Sequence, residues 1–315
     1  MKRVIVIIFI TLLSVVLYQN LKYKTIQTTS DIDKLLHQKV TKEYLTDKIV
    51  YALKKDDIQT AKELQNLSYM LNIKLPKKLI EKIQEQDSLA NKLSDFAQGF
   101  FSGDAKNQNQ LIGAISSDMT LYGDLRDIKK EATNYLHNKP YDEFILGIST
   151  LGVGLSLTTF FTAGSTSTLK VGTSILKLAK KTGKLTKSFS KYLLQKLSKT
   201  YDKRIFKSVD FTDYKSIKSA LKTIDFTPLK TPLTKLSKIN QNTSLDTTLY
   251  LLKYINNEKD LTKVAKISQK YKKNTKIIFK ILGKNALRAT KQILYFSKTA
   301  IYVTLMLLLT VLFLL

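Results

Sequence analysis

YDEFILGISTLGVGLSLTTFFTAGSTSTLKVGTSILKLAKKTGKLTK (residues 141–187) decides how the rest of the chain is read. Phe144 to Leu169 is a run of 26 residues without an ionisable side chain. Asp142 and Glu143 stand before it, and Lys170, Lys177, Lys180, Lys181, Lys184 and Lys187 follow. Taken as a helix, Phe144 to Ala163 is about 30 Å long, the thickness of a hydrocarbon core. Its small residues Ser149, Gly152, Ser156, Thr159 and Ala163 recur every three or four positions, which puts them on one face. Such a face lets membrane helices approach closely, against another helix of the same chain or of a copy. The run therefore predicts a membrane-crossing helix. A buried core helix is the competing reading, because Gly and Thr lower the hydropathy.

The stretch also separates two halves of different charge. Residues 19–143 hold 19 Lys and Arg against 18 Asp and Glu, whereas residues 170–298 hold 31 against 7. Almost the whole net charge of +27 thus lies in the second half. That asymmetry implies an anionic partner, either acidic lipid headgroups or phosphate backbone. Only Arg3, Arg126, Arg204 and Arg288 are arginines, and lysine does not supply the planar fork used for base readout. Nucleic acid is the less favoured partner, and Lys170, Lys177, Lys180, Lys181, Lys184 and Lys187 are the expected anionic-lipid contact.

Two further apolar runs flank the body. Lys2 and Arg3 precede Val4–Tyr18, with no small-residue cleavage site after it, which predicts an uncleaved signal anchor over residues 1–20. Thr299–Leu315 is uncharged and, with Ile293–Phe296 added, predicts a last span over residues 293–315. Between the runs, 21–143 reads as a near-neutral helical domain, 144–167 as the central apolar helix, membrane or core, and 168–292 as a lysine-rich helical domain. The fold class expected is all-α, an integral membrane protein. The charge flanks favour a three-span path with the basic half on the cytoplasmic side of a bacterial inner membrane. The alternative is a body on one side, anchored at both ends, with Phe144–Ala163 buried in it.

Periodicity places the helices. Ile32, Leu35, Leu36, Val40, Leu45, Ile49 and Leu53 predict one amphipathic helix, and Asp56 or Asp57 can cap a second that Asn72 and Pro76 stop. A third runs from near Pro76 to about Gln98. Beyond Lys170 helix follows helix, punctuated at Gly183, Pro228, Pro232 and Gly283.

The one dense polar cluster is Asp118, Asp124, Arg126, Asp127 and Glu131. Carboxylates around an arginine can hold a divalent cation, but acids at a helix start are also ordinary caps, and Asp124 is placed to cap the helix that follows. Asp127 and Glu131 share a helical face; Arg126 does not. His37 and His137 have no acid or nucleophile beside them in sequence, and there is no cysteine. No residue is assigned a catalytic, cofactor-binding or metal-ligating role, no cofactor is expected, and no small-molecule substrate follows.

Several pieces together resemble a widespread family of proteobacterial inner-membrane proteins with no assigned activity. They are Ala52-Leu53 with Asp57-Ile58 and Ala61, Leu75-Pro76, Gly99-Phe100 with Gly103, Gly123-Asp124 with Arg126-Asp127, Asp142-Glu143 with Gly147, Lys170-Val171-Gly172, Lys180-Lys181-Thr182-Gly183, and the segment 246–282. The resemblance implies an inner-membrane location and no mechanism. The function expected is a membrane-tethered scaffold that contacts anionic lipid, an acidic partner, a copy of itself or another membrane protein. An oligomeric channel component and a membrane-anchored nucleic-acid binder are the alternatives.

Overall fold

The computed structural model describes residues 24–100, 121–159, 167–210, 213–221 and 224–295. They fall into two units: a helical body, Ile32–Arg288, and the residues on either side of it, which pair as a ribbon. In the ribbon, β1 (Lys24–Thr28) and β2 (Lys291–Tyr295) run antiparallel, with Lys24 opposite Tyr295, Ile26 opposite Ile293 and Thr28 opposite Lys291. Apart from this pair, every described element is helical. Ile293 and Leu294, expected in the last span, stand in β2 instead, opposite Ile26 and Thr25 of β1.

The body opens with α1 (Ser30–Lys39) and α2 (Lys42–Lys54) where a single helix was expected. The break falls at Thr41, which is extended and whose hydroxyl accepts from the Tyr44 amide at 3.1 Å. The buried series Ile32, Leu36, Val40, Leu45, Ile49 steps by five across that cap, and a 3.6-residue period cannot absorb the step. Asp57 caps α3 (Ile58–Met70) by accepting from the Thr60 amide at 3.0 Å, as its position implies. Asn72, in the left-handed region at φ 56°, ends the turn after α3, and Pro76 precedes α4 (Lys77–Phe100).

Then come α5 (Leu121–Leu136), α6 (Glu143–Thr159), α7 (Ser167–Lys181), α8 (Lys187–Leu197), a short tighter turn at Lys203–Ser208, and α9 (Tyr214–Leu221). The body closes with α10 (Thr227–Asn242), α11 (Leu245–Leu251), α12 (Glu258–Tyr271), α13 (Thr275–Leu282) and α14 (Asn285–Arg288). Pro228 lies in the first turn of α10, where its missing N–H is harmless, but Pro232 sits inside that helix and is buried.

The central apolar run is a core helix of this body. On α6, Phe144, Leu146, Ile148, Leu151, Val153 and Leu155 are all buried, and α5, α7, α8 and α9 pack around it. At 17 residues α6 is about 25 Å long, and no described helix is long and apolar enough to cross a membrane. Hydrophobicity on every side, which the sequence offers equally to lipid, is satisfied here by four neighbouring helices. The expected spans at 1–20 and 299–315 lie outside the described residues.

The two halves that the three-span path would set on opposite sides interlock. Lys280 on α13 donates to Glu63 on α3 at 3.0 Å, and Tyr271 on α12 donates to Asp33 on α1 at 2.7 Å. Chain reversals after α12 and α13 use the same unusual backbone, Lys272 at φ 46°, ψ −124° and Gly283 at φ 55°, ψ −134°. Only glycine adopts it without a Cβ clash, so Lys272→Gly is expected to raise stability in urea unfolding by about 1 kcal/mol. A loss of stability would contradict the assigned backbone.

Candidate buried charge centre

The polar cluster on α5 and the lysines on α7, separate in the sequence, meet in the core. Asp124, Asp127 and Glu131 are spaced i, i+3, i+7 and share the buried face of α5 with Ile128 and Ala132. Such acids, placed among apolar neighbours, need a cation. Lys177 provides it: its Nζ lies 2.8 Å from Asp124 Oδ1 and 2.9 Å from Asp127 Oδ2, and its side chain is 1% exposed. Lys181 Nζ adds a contact to Asp127 Oδ2 at 3.0 Å, and Arg126 Nη2 meets Asp127 Oδ1 at 3.1 Å. Glu131 turns away from this group and accepts from the Asp142 amide at 2.7 Å.

Room for the Asp124 carboxylate is made by α6. A Cβ on Gly152 would lie 2.1 Å from Asp124 Oδ2, so at Gly152 α6 packs closely against α5 of the same chain. Ser149 and Ser156 on that face are buried, with Ser156 Oγ donating to the Gly152 carbonyl at 2.8 Å. The Thr159 backbone ends α6, and Ala163 lies outside the described residues.

Environment drives the two aspartates apart. Burial raises Asp124 to about 6 against the opposing pull of Lys177. Burial raises Asp127 too, but hydrogen bonds from Lys177 and Lys181 outweigh it and hold that carboxyl at about 2. Asp124 therefore binds its proton more tightly folded than unfolded, and its contribution to stability grows as pH falls through about 6. Asp127 has the opposite sign: its contribution is complete above the ordinary carboxylate range and is lost toward about pH 2. Relative to Asp124→Asn, the wild type is expected to gain stability between about pH 7 and about pH 5. Parallel pH profiles of the two proteins would overturn this assignment.

Chemically, the centre is suited to holding helices together. The Lys177 amine is flanked by two carboxylates of α5, so its donors are committed to tying α7 to that helix. Buried groups of this kind add little net stability over apolar packing, whereas removing one partner of the pair is strongly destabilising.

Several expectations for individual residues change. Asp124 is inside the first turn of α5 and bonds α7, so it is not the cap of that helix. Arg126 is half exposed and meets the centre at Asp127. Asp118 lies outside the described residues. Of the lysines expected on lipid, Lys177 is buried, Lys180 pairs with Asp142 at 3.1 Å, and Lys181 pairs with Asp127. Lys170 is half-buried and acts on Asp124 electrostatically. Lys184 and Lys187 remain exposed. Among the described residues no group of three His, Cys, Asp or Glu side chains is arranged to hold a metal ion. The role missed is that of Lys177 as partner of the buried acids, and the signal for it was the acid stripe on the apolar face of α5. Comparison with protein-family models, curated proteins and solved structures finds no match to the chain.

Proposed function

We propose that the chain is a non-enzymatic scaffold tethered to a bacterial inner membrane by Val4–Tyr18 and Thr299–Leu315, its helical body lying on one side and presenting lysine to anionic headgroups or an acidic partner. The register of the ribbon carries this reading. Lys24 follows the first apolar run closely and faces Tyr295, which stands just before the second. Both runs are thereby delivered to one end of one ribbon, as two adjacent antiparallel spans would require. The excess of 31 basic over 7 acidic residues in 170–298 supplies the attraction to an anionic surface.

The interlocked halves turn the three-span path into a testable contrast. Asn66 and Ser188 are exposed on α3 and α8, and the chain has no cysteine. Single cysteines at these two positions are expected to give the same response to an impermeant maleimide in intact cells, with the protein resisting alkaline carbonate extraction. Opposite responses, or release by carbonate, would overturn the reading.

A further inference from the structure

The lysines of α12 are ordered on its surface. Lys259, Lys263, Lys266 and Lys270 are four, three and four residues apart, which confines them to an arc of about 60° on a 3.6-residue helix. Leu261, Val264 and Ile267 bury the other side. Lys259 and Lys270 are exposed, and Lys263 and Lys266 are half exposed. Next to the stripe, Lys284 and Arg288 are exposed in and before α14.

Residues near both ends of the body touch this stripe. Lys263 Nζ donates to the Leu287 carbonyl at 2.6 Å, four residues before β2 begins. Lys270 pairs with Asp33, five residues after β1 ends, and the Tyr271 hydroxyl donates to the same carboxylate. Residues close to the first and last positions of the body thus lie beside one basic face. Among the described residues, Asp33 is the acid that pairs with the stripe, and Lys259 and Lys266 pair with none.

We infer that the Lys259–Lys270 face of α12, with Lys284 and Arg288, is the surface that seats the body on anionic phospholipid headgroups. The inference rests on the tethered reading for the nearness of the bilayer, and it moves the lipid contact away from 170–187, where half the lysines are committed to Asp124, Asp127 and Asp142. Lysine heads on flexible stems suit a fluid array of phosphates. A surface for single-stranded nucleic acid would instead interleave aromatics for stacking, and the aromatic of α12, Tyr271, is buried.

The test uses the full chain with one cysteine, Gln269→Cys, at an exposed position beside the stripe, carrying a fluorophore. It is reconstituted into phosphatidylcholine vesicles with or without phosphatidylglycerol, with a quencher on the lipid headgroup. Quenching is expected in the phosphatidylglycerol vesicles, to be relieved by salt through screening. Each lysine near the surface strengthens the contact roughly fivefold, so Lys259→Glu with Lys266→Glu is expected to abolish the lipid dependence, and Asp33→Asn to strengthen it. A protein that inserts stably but shows the same quenching in both vesicles overturns the inference and leaves the tether standing. Salt-sensitive quenching by a protein that carbonate releases does the reverse. Protection of the label by duplex DNA in place of phosphatidylglycerol would overturn the lipid assignment.

Discussion

Lys177→Met is expected to cost about 3–5 kcal/mol, read as a lower midpoint in urea unfolding followed by circular dichroism. The methionine fills most of the lysine's volume, so the loss is electrostatic: Asp124 and Asp127 would face each other in the core without the ammonium that lies 2.8 and 2.9 Å from them. Protonation is the chain's one cheap remedy, so the deficit should shrink on acidification as the two carboxyls, freed of Lys177, take up protons. Adding Asp124→Asn to Lys177→Met should restore part of the loss, which a double-mutant cycle would report as coupling above about 1 kcal/mol. A single-variant deficit under about 1 kcal/mol would mean that the ion pairs are dispensable.

Gly172→Ala on α7 is the second large effect. A Cβ there would lie 2.3 Å from the carbonyl oxygen of Leu233 on α10 and 2.8 Å from its carbonyl carbon. Because the obstacle is backbone, α7 and α10 must move apart. Alanine gains about 1 kcal/mol in helix propensity, but separating two buried helices costs about 1–3 kcal/mol or more, so the net expectation is destabilisation. Gly147→Ala provides the contrast, since its Cβ would meet the Tyr201 hydroxyl at 3.1 Å and a Leu197 methyl at 3.2 Å, side chains that can shift. Equal thermal midpoints for the two variants would refute the close approach of α7 and α10.

Local signals in the sequence were reliable where they depended on neighbours. Asp57, Asn72 and Pro76 end and begin helices as their side chains require, and the lysine-rich half runs helix after helix as far as Arg288. The break at Thr41 was also written in the step of five from Val40 to Leu45, but the steps of four on either side of it look like one helix. What the sequence could not settle was the company a segment keeps. The apolar surface of α6 suits lipid and core equally, and the choice depends on α5, α8 and α9 being able to cover it. Lys177 looked like one of six equivalent lysines because its partner Asp124 lies 53 residues earlier. β2 was hidden by position: Ile293, Leu294 and Tyr295 run into the apolar segment that follows.

The ribbon also has a mechanical consequence. Force that draws the chain before Lys24 and the chain after Tyr295 apart enters at the Lys24–Tyr295 pair and opens the ladder one rung at a time, toward Thr28 and Lys291. Backbone bonds loaded in this way yield successively, whereas strands pulled lengthwise must break together. The ribbon is therefore a fuse. Lateral tension would spend itself peeling β1 from β2 before the load reached α1 or α14.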